Sequence, residues 1–207
     1  KRIILFCGAS VPFDETSPLH ALADAIERNE LPSDLLIIYR PHPDRQQRTG
    51  EPPFIPRDSI LQLAPSEGEG LTNLDFYPVL FQSVDAIITP FSTMAAEAAS
   101  FGLPVMCVGY NHENHSNYDW VRQSHELHLY ALHHSDWCVV CERPDAVVER
   151  CRQLVELIGD DTIRENAIAS TAFIFQRGQQ SPAERLVDAM SKLVAGEDAD
   201  DWLQASL

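Results

Sequence analysis

Residues 87 to 105 read Ile87-Ile88-Thr89-Pro90-Phe91-Ser92-Thr93-Met94-Ala95-Ala96-Glu97-Ala98-Ala99-Ser100-Phe101-Gly102-Leu103-Pro104-Val105. The opening run has the unbroken apolar pattern of an inner strand. A tight turn follows, then a short helix of small residues from Thr93 to Phe101. Gly102 suits the left-handed residue that closes a helix. Pro104-Val105 starts the next buried strand. Strand, turn, helix and strand is the unit of a parallel α/β sheet. The turn sets two hydroxyls, Ser92 and Thr93, at a helix start, where unpaired N–H groups and the positive end of the helix dipole suit an anion.

The pattern extends in both directions. Ile3 to Cys7 is a continuous apolar run ending in Gly8, as for a central strand. Ser17-Pro18 predicts a helix start with Ser17 as cap, and Leu19, Leu22, Ala23 and Ile26 recur at helical spacing. Further strands are predicted at Leu35 to Tyr39, Ser59 to Leu63, Val84 to Thr89, Pro104 to Val108 and Trp137 to Cys141. Helices are predicted over 74–82, 118–132, 145–158, 161–176 and 182–194. The alternation implies an α/β fold: a Rossmann-like, doubly wound parallel sheet of about six strands with a helical C-terminal flank. One domain is expected over residues 1–195, followed by an acidic tail over 196–207.

The second strand leads into Arg40-Pro41-His42-Pro43. Two prolines fix φ around His42 and stiffen the loop, so an imidazole can be held at one place on the rim. The carboxyl edge of an open α/β sheet is where ligands bind. Two phosphate-competent groups on that edge point to a nucleotide or nucleotide-sugar. Glu97, a lone carboxylate in a helix of small residues, suits ribose hydroxyls. Gly8 and Pro90, at the ends of their strands, join it as expected nucleotide contacts.

The net charge is −16, which repels nucleic acid and anionic lipid. It also means that a phosphate would depend on Arg40, His42, Arg45 and helix starts. No run approaches the roughly eighteen apolar residues of a membrane span. The chain enters an apolar run at once, which reads as no signal peptide and as a piece of a longer protein. Five cysteines, an odd number, read as reduced thiols in a cytoplasmic protein. Cys138-Val139-Val140-Cys141 has CxxC spacing but no second pair, and reads as core packing rather than zinc or redox chemistry. His125-Glu126-Leu127-His128 lacks the spacing of the HExxH zinc motif, and no metal is expected. His112 and His115 could line the cleft. Asp198-Ala199-Asp200 lies in the acidic tail rather than after a strand, and no Walker A or GxGxxG motif follows the first strand.

Arg40-Pro41-His42-Pro43-Asp44, followed by Ser92-Thr93, Glu97-Ala98, Gly102 and Pro104-Val105, resembles the donor-binding half of GT-B glycosyltransferases. More narrowly it resembles the bacterial Kdo transferases, sialyltransferases and CDP-glycerol transferases of capsule and surface polysaccharide, which share an HP motif and a downstream Ser-Ser or Ser-Thr motif. Gly109-Tyr110 and the segment from Arg177 to Arg185 are also similar. The resemblance implies that His42 contacts the donor phosphate and assists its departure, and that Arg40, Ser92 and Thr93 hold that phosphate. It implies a CMP-linked donor such as CMP-Kdo or CMP-sialic acid, with no metal or other cofactor. A glycan acceptor would be bound through a missing N-terminal domain, and any peripheral membrane association would come through other parts of the full protein. That missing half usually supplies the general base; Asp14 and Glu15 are on the right rim, although loop solvation also accounts for them. Two other readings share this architecture: a UDP-N-acetylglucosamine 2-epimerase-like enzyme, and a non-catalytic nucleotide-binding or assembly module.

Overall fold

The computed structural model describes residues 1–9, 14–42, 54–63, 76–110, 130, 132–172, 174–175 and 180–196. The strands are β1 (Arg2–Cys7), β2 (Leu35–Arg40), β3 (Ile60–Gln62), β4 (Ala86–Pro90), β5 (Val105–Val108) and β6 (Cys138–Cys141). They form one sheet in the order β3-β2-β1-β4-β5-β6, and every pairing is parallel. This is the predicted Rossmann-like α/β class. The order reverses between β1 and β4, so a crevice opens beyond their carboxyl ends. β4 and β5 are buried along their whole length, as are the last four residues of β1. Strands covered on both faces have no polar side to alternate with, which is why their sequences are continuous apolar runs.

The helices are α1 (Thr16–Glu27), α2 (Phe76–Gln82), α3 (Thr93–Ser100), α4 (Val147–Leu157), α5 (Asp161–Thr171) and α6 (Pro182–Val194). α1 packs on α4, and α3 on α5. Phe6, Leu19, Ile37, Phe81, Ile87, Phe91 and Trp137 are among the large side chains that fill the core. Trp137 Nε1–H donates to Ser170 Oγ at 2.8 Å, tying α5 to the foot of β6. The end of α3 is a Schellman turn. Gly102 N–H donates to Ala99 O at 2.8 Å and Leu103 N–H to Ala98 O at 3.3 Å, with Gly102 at φ +78.

Several predicted helix boundaries move. Ser17 lies inside α1, and Asp14 caps the helix: its Oδ1 accepts from the N–H groups of Thr16 and Ser17, each at 3.0 Å. A short carboxylate two residues ahead reaches both orphan amides, which a hydroxyl already within the helix cannot do. One 3-10 turn, Pro144–Ala146, precedes α4. α5 ends at Thr171, short of the predicted residue 176. Of the helix predicted over 118–132, only Tyr130 and Leu132 are among the described residues.

The chain divides into two compact units, Lys1–Thr171 and Ala172–Leu207. The sheet lies in the first. In the second, α6 begins with a capping box: Ser181 N–H donates to Glu184 Oε2 at 2.7 Å, and Glu184 N–H to Ser181 Oγ at 3.3 Å. All five cysteines are free thiols. Within the CxxC segment, the Cys141 thiol donates to the Arg143 carbonyl at 3.3 Å, and Cys138 Sγ meets Cys107 Sγ at 3.8 Å. Among the described residues, no helix is long and apolar enough to cross a membrane.

Candidate functional site

The site is built from the carboxyl ends of β1, β2 and β4 and the first turns of α2 and α3. The Gly8 N–H donates to the Arg40 carbonyl at 2.8 Å, which carries the β1–β2 ladder one step beyond the strand and sets Gly8 beside the Arg40-Pro41-His42 segment. A Cβ on Gly8 would lie 2.4 and 2.7 Å from the two Glu15 carboxylate oxygens and 2.7 Å from the His42 amide nitrogen. No side chain fits there. His42 itself is half-buried.

Arg40 is only 9% exposed. Its guanidinium carbon stands 4.9 Å from the ring centroid of Tyr77, in the first turn of α2, a cation–π contact. The same charge pulls down the Cys7 thiol at the end of β1 and the Glu97 carboxyl in α3, in both cases against a larger effect of burial. Burial still dominates, leaving the Cys7 thiol pushed up to about 12 and the Glu97 carboxyl above the usual carboxylate range. Arg40 therefore stands near enough to the end of β1 and to α3 for its charge to act on both groups.

At the end of β4, Pro90 is buried and Ser92 turns the chain with φ −154 and ψ 164. Ser92 Oγ accepts from the Met94 N–H at 3.3 Å and shares a hydrogen bond of 3.0 Å with Thr89 Oγ1. Its cap thus rests on a fully buried threonine. Thr93 is exposed and stands one turn before Glu97, and its hydroxyl helps to hold the Glu97 carboxyl down. Ser92 therefore organises the helix start whose amides and dipole favour an anion.

The fold brings Gly8, Arg40 and His42 together on one side of the crevice. It sets Tyr77 against Arg40, and it places Ser92, Thr93 and Glu97 beyond the end of β4. Tyr77 is the member the sequence reading omits. An aromatic at a helix start reads as core, and only the strand order carries it to the end of β2. Asp14 and Glu15 are neither solvated nor open to an acceptor. Asp14 is taken up by α1 and also accepts from both the Thr16 and Ser17 hydroxyls. Glu15 is fully buried, accepting from the Ala9 N–H at 2.9 Å and the Tyr39 hydroxyl at 2.7 Å. Arg45, His112, His115, His125, His128 and the Asp198–Asp200 segment lie outside the described residues, and no group of three or more His, Cys, Asp or Glu residues among those described is placed to hold a metal.

No protein-family model and no curated protein matches the chain. Solved structures do resemble it. A glycotransferase of kitacinnamycin superposes with a TM-score of 0.54 at 12% identity, covering 90% of this chain and 42% of that one. A putative UDP-N-acetylglucosamine 2-epimerase from Listeria monocytogenes superposes with a TM-score of 0.50 at 14% identity, covering 96% and 46%. The chain therefore spans less than half the length of either structure. At these identities the likeness establishes the fold, a Rossmann-like sheet with flanking helices.

Proposed function

We propose that this chain is the donor-binding half of a glycosyltransferase of GT-B type, transferring a sugar from a nucleotide-activated donor to a surface glycan. The observation that carries this reading is the convergence of the Arg40–His42 segment and the start of α3 on the crevice between β1 and β4. Nucleotide-sugar transfer displaces a phosphate, and catalysis on this half consists of stabilising the negative charge that develops there. The α3 amides, Ser92 and Thr93 hold the phosphate, Arg40 supplies positive potential from beneath, and His42 donates a hydrogen bond or proton to the leaving oxygen. Glu97 accepts ribose hydroxyls. Gly8 and Pro90 form the floor against which the nucleotide lies. A CMP-linked donor leaves as a monophosphate that protein groups can hold without a metal. The acceptor and the general base belong to a second half, since Asp14 and Glu15, the carboxylates that follow β1, are committed to the fold.

Calorimetric titration of the chain with CMP, CDP, UDP and GDP in metal-free buffer tests this. CMP binds, and His42→Ala weakens it about tenfold, the loss of one charge-assisted hydrogen bond. A preference for UDP moves the assignment to UDP-linked donors, the epimerase-like chemistry among them. Binding indifferent to His42 removes that residue from the site.

A further inference from the structure

Glu15 is a carboxylate with no exposed surface, and taking an ion out of water costs several kcal/mol unless hydrogen bonds compensate. It stands at the cap position of α1, where a carboxylate would ordinarily bond the helix amides, yet its side chain makes no cap bond, and Asp14 carries out that task. The Glu15 oxygens are turned to the rim instead. One accepts from the Ala9 N–H at 2.9 Å, just past β1, and the other from the Tyr39 hydroxyl at 2.7 Å, one residue before Arg40. The Tyr39 ring is in turn held edge-on by Phe6 at 5.9 Å and Phe54 at 5.5 Å. The same carboxylate fills the space beside Gly8 that the His42 amide also approaches.

We propose that Glu15 is a positioning residue of the rim: clamped between the Ala9 amide and the Tyr39 hydroxyl, it fixes where Arg40 and His42 stand for a phosphate-bearing ligand. The clamp joins the two strand ends that the sheet's own ladder leaves after the Gly8–Arg40 bond. It acts through other groups and touches no ligand itself. Its link to phosphate rests on the donor-site reading above, whereas its hold on His42 does not.

Glu15→Gln and Tyr39→Phe, singly and together in the full chain, test this with three readouts: thermal unfolding, the imidazole NMR signals and titration of His42, and affinity for CMP and UDP. Each single variant is expected to shift the His42 ring signals and to weaken nucleotide binding about five- to tenfold, as for one charge-assisted hydrogen bond. The double variant is expected to be no weaker than the poorer single one, because both remove the same clamp. Should Glu15→Gln fail to fold, Tyr39→Phe, which deletes only a hydroxyl, carries the test. Variants that lose thermal stability while His42 signals and affinity remain as in wild type overturn the proposal and leave Glu15 a structural residue. If wild type binds neither nucleotide, the donor reading fails, and the His42 signals alone decide the clamp.

Discussion

Glu97 lies half-buried one turn into α3, and burial raises its carboxyl against the pull of the Thr93 hydroxyl and Arg40. A carboxyl that titrates higher in the fold than in the unfolded chain binds its proton more tightly when folded. Its stabilising contribution is complete below the unfolded value of 4.5 and is lost as pH rises through the raised one. Glu97→Gln keeps the size of the side chain without the charge. It is expected to raise Tm at pH 7 by about 2 °C, a modest gain because half the group stays solvated. The gap closes as pH falls through the raised value toward 4.5. Melting curves from pH 4 to 8 check this, and a Gln variant less stable than wild type at pH 7 contradicts it. Gly102 presents a backbone constraint instead. At φ +78 a Cβ would also lie 2.5 Å from Arg164 Cγ. The arginine stem can yield but the dihedral cannot, so Gly102→Ala is expected to cost about 1–2 kcal/mol in urea unfolding.

At the scale of elements, helix starts separate local chemistry from local appearance. Ser17-Pro18 has the residue types of a cap and first turn, but α1 begins at Thr16 under Asp14. Asp14→Ala is expected to cost about 1–2 kcal/mol, because two amides lose their acceptor. Ser17→Ala is expected to cost less than half of that, since the serine only donates to the same carboxylate. Equal losses in parallel denaturant titrations would falsify this assignment of the cap. The start of α3 matches the sequence more closely. Ser92 caps it as expected, and Thr89 beneath supports the cap through a bond that the apolar run around it does not announce. Ser92→Ala is therefore expected to lower stability by about 1 kcal/mol and to weaken CMP binding as well, both measurable on one sample.

Over the whole molecule, sheet register decides the chemistry of the cysteines. Cys138 meets Cys107 rather than Cys141, although Cys138 and Cys141 share the CxxC spacing. Val105 stands opposite Cys138 and Cys107 opposite Val140, so the two thiols are offset by two residues along parallel strands. Such diagonal neighbours have Cα atoms about 7–8 Å apart, beyond the usual span of a disulfide. The Cys107 thiol is also raised well above its ordinary value by the hydrogen bond with Cys138 and by burial, which suppresses the thiolate needed for exchange. Oxidised glutathione is therefore expected to leave all five thiols countable once the protein is unfolded, and a Cys107–Cys138 linked peptide in the mass spectrum would overturn this register.

The strands and most helices were legible in the sequence because they depend on short-range physics: unbroken apolar runs for doubly covered strands, helical periodicity, and the Gly102 turn. Arg40, His42, Ser92, Thr93 and Glu97 could be picked out for the same reason, since hydroxyls at a helix start and an imidazole between prolines are local arrangements. What those residues touch was settled by β1 lying beside β4, a pairing of segments some eighty residues apart: Ile4 stands opposite Ala86. That adjacency brings the end of β4 and the start of α3 beside the end of β1, and the neighbouring β1–β2 pairing turns Glu15 into a buried clamp instead of a solvated loop acid. Burial and close approach are properties of the assembled sheet, set by many distant contacts at once, so no local pattern carries them.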